Sequence, residues 1–170
     1  MAMNDTAFRN GVLALLPQLR RFCYALTGTA TDGDDLLQST VERALNKRHL
    51  FADGTDLKSW LFRMSRNMWI DDIRKRKTQS NAADALAASR PEWHADGLAA
   101  GEALLSLRDA RSILESMPEE QRTIMLLVGV EGHSYRDAAD ILGIPVGTVM
   151  SRLARARARL ADGLLTGDES

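Results

Sequence analysis

The sequence has few of the residues that build disulfide-bonded or β-rich proteins. Only one of its 170 residues is a cysteine, Cys23, which excludes an internal disulfide framework and a multi-cysteine zinc site. Cys23 lies among Leu19, Phe22 and Leu26, so a packed thiol fits better than a reactive one. Aromatic residues make up only 5% of the chain, alanine and leucine are abundant, and no alternating β pattern is present. This composition predicts an all-α protein.

The sequence also lacks a membrane span, which needs about 20 consecutive apolar residues. Pro17, Arg20 and Arg21 interrupt the N-terminal apolar segment, so we expect no signal peptide and a cytoplasmic protein. There is no glycine-rich phosphate loop, metal-ligand cluster or nucleophile elbow. The histidines are scattered along the chain at His49, His94 and His133. We therefore expect no enzyme activity, no cofactor and no bound metal.

The formal net charge of −1 conceals two basic segments. Between Lys58 and Lys77 there are seven basic residues against two acids, and residues 146–161 contain four arginines and no acid. Acidic residues concentrate near the front of the chain and in its middle. Because binding follows the local potential and not the net charge, this pattern predicts two nucleic-acid contacts and at least one partner of another kind.

Residues 134–160 have the pattern of a helix, a tight turn and a second helix. Ser134 is a good N-cap for the first helix, with Asp137 placed to partner it. Gly143 can adopt the left-handed conformation that ends a helix, and Pro145 suits the start of another. The first helix has an apolar stripe at helical spacing, formed by Ala138, Ile141 and Leu142.

The second of these helices separates a buried face from an outer face. The buried face consists of Val149, Leu153, Ala156 and Leu160. The outer face carries hydroxyl and guanidinium groups, on Thr148, Ser151, Arg152, Arg155 and Arg159. Arginine matches phosphate oxygens and the edge of guanine, so the pattern predicts a helix-turn-helix that inserts its second helix into a major groove. The alternative is a solvated basic face on an ordinary helical hairpin.

The chain divides near its middle. We predict one small helical domain over residues 1–77, a flexible linker over residues 78–100 and a second helical domain over residues 101–166. The linker is polar and alanine-rich and is broken by Pro91 and Gly97. Helices are expected at residues 8–26, with a possible kink at Pro17, then from an N-cap at Asp32 to residue 45, at 57–76, at 102–117 and at 118–132, followed by the helix-turn-helix.

The third predicted helix carries the first basic segment. Leu57, Leu61, Met64 and Met68 are expected to form its buried stripe, supported by Trp60 and Ile73. Cations on the other side would follow phosphates. Trp60 and Trp69 are candidates for stacking on unpaired bases; core packing is favoured for Trp60, and both roles remain open for Trp69.

The second predicted helix is acidic at its start. Asp34, Gln38 and Glu42 recur at every fourth position and form one polar stripe. These acids either complement the positive end of the helix dipole or form an interface. Their spacing does not match a calcium loop.

Three segments together resemble the extracytoplasmic-function (ECF) sigma factors of the sigma-70 family. They are Asp34-Asp-Leu-Leu-Gln38 with Glu42-Arg-Ala44, Trp60-Leu-Phe-Arg-Met-Ser-Arg-Asn67 with Ile70-Asp-Asp-Ile-Arg74, and Ser134 to Leu160. They occur in the order and at the spacing of that family. The resemblance implies two helical domains, sigma region 2 and sigma region 4, joined by a flexible linker. It also implies promoter recognition and transcription initiation by RNA polymerase. Residues 127–135 resemble the stress-response branch of the family.

The resemblance assigns roles to residues. Contact with the clamp coiled coil of the largest polymerase subunit falls to Asp34, Asp35, Gln38 and Glu42. Capture of the −10 element falls to the loop at residues 49–56 and to Lys58, Arg63, Asn67, Asp71, Arg74 and Arg76. Reading of the −35 element falls to Thr148, Met150, Ser151, Arg152, Arg155 and Arg159. Many members of the family carry Lys or Arg where this chain has Met150.

The resemblance further implies a monomer when free, promoter DNA as a ligand and control by an anti-sigma factor. One alternative is a sigma-like mimic that sequesters an anti-sigma factor without touching DNA. A second is a helix-turn-helix regulator that acts without polymerase, which would leave the first seventy or so residues unexplained.

Overall fold

The computed structural model describes residues 3–52, 54–80 and 110–166. All regular elements in these ranges are helical, which confirms the predicted all-α class. The contacts divide the chain into two compact units, Met1–Trp93 and His94–Ser170. The predicted linker lies almost wholly outside the described residues, and its boundaries stay a prediction.

The first unit is built from three long helices: α1 (Asp5–Thr27), α2 (Ala30–Asn46) and α3 (Leu57–Ser80). A short 3₁₀ turn, Arg48–Leu50, follows α2. Helix α1 continues through Pro17 and ends at Gly28, whose φ of 80° is the left-handed conformation expected of a glycine stop. Helix α3 extends beyond its predicted end near Arg76.

Side-chain caps fix where these helices begin. Asn4 caps α1 by accepting a hydrogen bond from the Ala7 N–H, and Asp56 accepts one from the Ser59 N–H at the start of α3. The cap of α2 is Thr29, which accepts from the Asp32 N–H over 3.0 Å. The expectation that Asp32 itself caps this helix was therefore wrong, because the chain already turns into the helix at Ala30.

The core of the first unit lies where α3 packs against both α1 and α2. Phe22 and Phe62 meet there, with ring centroids 4.7 Å apart, next to the buried Cys23. The predicted stripe on α3 was partly wrong. Leu57 and Leu61 are buried as expected, whereas Met64, Met68 and Ile73 are only half-buried. Three residues outside the predicted stripe are also buried, namely Phe62, Ser65 and Trp69. A helix that packs between two neighbours buries more than one stripe.

The second unit contains α4, whose described part is residues 110–116, then α5 (Glu119–Ile124), α6 (Tyr135–Leu142) and α7 (Val146–Thr166). Helix α5 continues into a π-helical turn, Met125–Val130. Helices α6 and α7 form the predicted helix-turn-helix. Ser134 accepts a hydrogen bond from the Asp137 N–H, and Gly143 has a left-handed φ of 65°. Ala138, Ile141, Val149, Leu153 and Ala156 are buried between the helices.

Candidate nucleic-acid interface

A cleft opens in the first unit where α3 faces the end of α2. Its volume is about 320 Å³, enough to admit a nucleotide base. Three of the residues predicted to contact the −10 element, Arg63, Asn67 and Asp71, line it along one side of α3. The rest of the wall comes from Arg43, Lys47, Leu50, Trp60, Met64 and Met68. The cleft therefore combines cations, an amide, a carboxylate and apolar side chains in its lining.

Trp60, which lines the cleft, is held by an aromatic cluster. Its ring lies edge-on to Phe8 and Phe51, with centroid distances of 6.1 Å and 5.4 Å. Phe8 and Phe51 are themselves 5.6 Å apart, and the Arg48 guanidinium lies over the Phe8 ring. These contacts agree with the favoured packing role of Trp60, and they fix the orientation of the indole that the cleft exposes.

Lys58, Arg74 and Arg76 lie outside the cleft lining. Lys58 approaches the Phe62 ring, and Arg74 approaches Asp71 at 3.9 Å.

Arg76 binds Asp72 over 2.8 Å and reaches Asp32 of α2 over 3.5 Å, with its guanidinium above the ring of Trp69. Trp69 is buried beneath this contact, so packing describes it better than base stacking. Arg76 thus ties the end of α3 to the start of α2.

The polar stripe on α2 is exposed along its length, at Asp34, Asp35, Gln38 and Glu42. Gln38 donates a hydrogen bond to Glu42 over 3.1 Å. The Tyr24 hydroxyl donates to Asp34 over 2.6 Å, and Arg20 donates to the Tyr24 oxygen and to Asp34. The hydrogen bond to Asp34 raises the pKa of Tyr24. Tyr24 and Arg20 were missed in the sequence because they reach α2 only through the packing of α1.

Gly33 permits this arrangement. A Cβ atom at position 33 would come within 2.3 Å of the Tyr24 ring, and close to the backbone of Tyr24 as well. The absence of a side chain therefore lets α1 approach α2 closely enough for the Tyr24 hydroxyl to reach Asp34.

The outer surface of α7 carries the residues predicted to read the −35 element. Ser151, Arg155, Arg159 and Met150 are exposed, while Thr148 and Arg152 are half-buried. Arg152 forms an ion pair with Glu120 of α5 over 3.0 Å. Within residues 110–166, the guanidinium groups of Arg155 and Arg159 have no such acidic partner. Glu120 was missed because no local pattern links α5 to α7.

The described residues offer neither a membrane span nor a cluster of metal ligands. No helix in these ranges combines the length and apolarity that a membrane crossing requires. No group of three or more His, Cys, Asp or Glu residues in the same part of the chain is placed to hold a metal ion.

Both units match known protein families. Residues 107–160 match the family of sigma-70, region 4, and residues 12–65 match the sigma2 domain of PhyR. The ECF RNA polymerase sigma factor EcfG of Rhodopseudomonas palustris is 39% identical over 165 residues, which cover 95% of this chain and 86% of that protein.

Solved structures agree with these matches. The sigma factor RpoE from Bartonella quintana, solved in complex with the anti-sigma factor NepR, is 34% identical with a TM-score of 0.83 and covers 95% of this chain and 98% of its own. The PhyRSL–NepR complex from Sphingomonas sp. Fr1 is 26% identical with a TM-score of 0.67, covering 91% of this chain and 87% of its own.

Proposed function

The chain belongs to the ECF sigma factors of the sigma-70 family, and we propose how its surfaces divide the work of promoter recognition. As an RNA polymerase sigma factor, it directs promoter recognition and transcription initiation. Three surfaces share this work: a cleft for one strand of opened DNA, an acidic surface for polymerase and a helix for duplex DNA.

The cleft between α2 and α3 takes an unstacked base of the −10 element. Arg43, Lys47 and Arg63 supply positive charge at its rim, and Asn67 and Asp71 offer hydrogen bonds to a base edge. The fixed Trp60 ring offers an apolar surface. Strand opening needs no covalent step, because a site that binds only the extruded base shifts the equilibrium from duplex to bubble. Lys58, Arg74 and Arg76 remain predicted contacts to the backbone of the same strand.

The acidic surface of α2 (Asp34, Asp35, Gln38 and Glu42) contacts the clamp coiled coil of the largest polymerase subunit. Its exposure and its bonding pattern support this role. The carboxylate of Asp34 is already oriented by Tyr24, and Glu42 by Gln38. Side chains that are held before binding lose less conformational freedom in the complex.

The outer surface of α7 reads the −35 element. Thr148, Ser151 and Met150 lie in its first turns, where a recognition helix meets base edges, and Arg155 and Arg159 follow toward the backbone. The cleft and α7 each bind DNA weakly. Because both are held on one polymerase core, binding of one raises the effective concentration of the other at the promoter, and the combined affinity is much higher. The observation that carries the proposal is that one chain holds both a base-sized polar cleft and an arginine-rich recognition helix.

In-vitro transcription with purified core polymerase tests this assignment. The double variant Asp35→Asn, Glu42→Gln should lose promoter-specific transcripts, because it removes charge from the polymerase surface without touching either DNA surface. Glu115→Gln, an exposed carboxylate in the second unit, is the matched control and should retain them. Full transcription by the double variant would refute the polymerase surface.

A second candidate function is a mimic that sequesters an anti-sigma factor. The match of residues 12–65 to the sigma2 domain of PhyR favours it, because PhyR from Bartonella quintana is an anti-anti-sigma factor and was solved in complex with NepR. The same transcription assay separates the two, because a mimic would yield no specific transcript with core polymerase. A polymerase-independent regulator would instead give a DNA footprint without core.

Regulation completes the proposal. The similar sigma factor RpoE has been solved bound to the anti-sigma factor NepR, and the similar protein CnrH has been solved bound to the cytosolic domain of CnrY. We propose that an anti-sigma factor also holds this chain inactive, that the free protein is a monomer in the cytoplasm, and that it has no enzyme activity of its own. Co-purification followed by mass spectrometry identifies the partner.

A further inference from the structure

The first turns of α7 expose two large apolar side chains, Val146 and Met150, with exposed fractions of 40% and 52%. They are four positions apart in the sequence, so they lie on one side of the helix. Their neighbour Val149 is completely buried in the helix-turn-helix core. Val146 and Met150 therefore form a small apolar surface beside the core and not a part of it.

The apolar pair lies on the opposite flank of α7 from three of its arginines, Arg152, Arg155 and Arg159. The fourth, Arg157, comes seven residues after Met150 and lies on the same flank as Met150. Met150 and Arg152 are two residues apart, which on an α-helix is a rotation of about 200°. Arg152 leans toward Glu120 of α5, so the flank with Met150 points away from that helix. A recognition helix is about as wide as the major groove, and both of its flanks therefore meet base edges.

We infer that Val146 and Met150 form a thymine-specific contact, in which the apolar pair packs against a 5-methyl group in the major groove of the −35 element. The only apolar group that a base pair presents there is the methyl of thymine. The thioether chain of methionine is flexible enough to adapt to its position. The inference rests on the proposed function. It assigns Met150 an apolar contact with DNA at a position where many members of the family carry Lys or Arg.

The positive charge around the apolar pair favours DNA over a protein as the partner that it contacts. Residues 146–161 contain four arginines and no acid, and the Arg155 and Arg159 side chains on the same helix are exposed. An apolar protein partner would have to desolvate these cations or supply acids to them, whereas duplex DNA supplies phosphates on both sides of the groove.

Deoxyuridine scanning of the promoter tests the inference. Wild-type holoenzyme first selects a promoter from a library randomised in the −35 region. Each thymine of that element, on either strand, is then replaced by deoxyuridine, which removes only the methyl group. At one or two positions the wild-type holoenzyme should bind about fourfold more weakly, as expected for one buried methyl group.

The Met150→Ala holoenzyme should bind the thymine and deoxyuridine promoters equally, and Met150→Leu should restore the preference for thymine. Leu165→Ala, which truncates the most exposed large apolar side chain at the far end of α7, is the matched control and should keep the wild-type penalty. A deoxyuridine penalty that is absent from the wild type, or unchanged in Met150→Ala, overturns the inference.

Two further outcomes are distinguishable. If Met150→Ala weakens binding of the sigma factor to core polymerase in the absence of DNA, the apolar pair is a protein contact and the inference is overturned. If the selection enriches no −35 sequence at all, the proposed function of α7 fails, and the inference fails with it.

Discussion

In the first unit, several charged side chains that are predicted to bind partners are already bonded to neighbouring side chains. Asp34 is held by Tyr24 and Arg20, and Arg76 is held by Asp32 and Asp72. On α7 of the second unit, only Arg152 has an acidic partner among the predicted contacts within residues 110–166. These charged side chains of the first unit are therefore held in place before binding, whereas α7 offers arginines that no acidic neighbour in the described part of its unit offsets. We expect binding at the surface of the first unit to depend on shape and binding at α7 to depend on salt.

Cys23 allows the first unit to be observed alone, because it is the only cysteine of the chain. Burial raises the pKa of its thiol from 9.0 to about 12. Since the thiolate is the reactive form, labelling of the native chain should be at least about a hundredfold slower than in urea. Between pH 7 and 9 the native rate should stay low, whereas the rate of the unfolded chain should rise as its thiol ionises.

The labelling kinetics are followed with a chromogenic disulfide reagent, and the urea-unfolded protein is the control. Equal rates in the folded and unfolded chains would show that α1 does not bury this thiol. Because the second unit has no cysteine, the experiment reports opening of the first unit only.

A matched pair of glycine substitutions tests how tightly the two units are built. Gly33→Ala forces a Cβ atom into the Tyr24 ring and should destabilise the first unit by about 1–3 kcal/mol. Gly147→Ala meets no atom within 4 Å and should be neutral or up to about 1 kcal/mol stabilising, because alanine favours the helix. Urea denaturation followed by circular dichroism measures both. A Gly33→Ala variant that is as stable as the wild type would contradict the close approach of α1 to α2.

Salt dependence separates compensated from uncompensated arginines. Removing one arginine–phosphate contact should reduce the slope of log K against log salt by about 0.9. Arg155→Ala and Arg159→Ala holoenzymes should each show such a reduction in promoter binding. Arg76→Ala should change the slope less, because Asp32 and Asp72 already neutralise this side chain. Equal slope changes at all three positions would remove the distinction between the two surfaces.

The smallest expected effect concerns orientation of the acidic surface. Tyr24→Phe deletes the hydroxyl that donates to Asp34 and keeps the ring that packs on Gly33. We expect about a two- to threefold loss of affinity for core polymerase, as is typical of an exposed polar contact. Fluorescence anisotropy measures the affinity. The loss should disappear in an Asp34→Asn background, and an unchanged loss there would show that Tyr24 acts through another residue.

The features that were predicted best from the sequence are those that depend on residues close together in the chain. The Ser134 cap, the left-handed Gly143 and the buried Val149 all act within a few residues, and each lies where the pattern placed it. The cap of α2 was misplaced because Thr29 and Asp32 are both good caps and only the backbone decides between them.

Contacts that join distant segments were not predictable. The carboxylate of Asp34 and the hydroxyl of Tyr24 meet only because α1 and α2 pack closely, and Glu120 reaches Arg152 only across the fold of the second unit. The prediction of which α3 residues are buried was partly wrong for the same reason. A single periodic stripe describes a helix with one neighbour, and α3 has two.

The π-helical turn at Met125–Val130 affects how this chain aligns with others. Bonds from residue i to residue i+5 accommodate one more residue than an α-helical turn, and they let Met125, Leu126 and Leu127 all be buried in succession. A relative with an uninterrupted α-helix here would be one residue shorter. Alignments that forbid a gap before Glu131 would then shift the recognition helix by a full position, and would pair each arginine with the wrong base-reading residue.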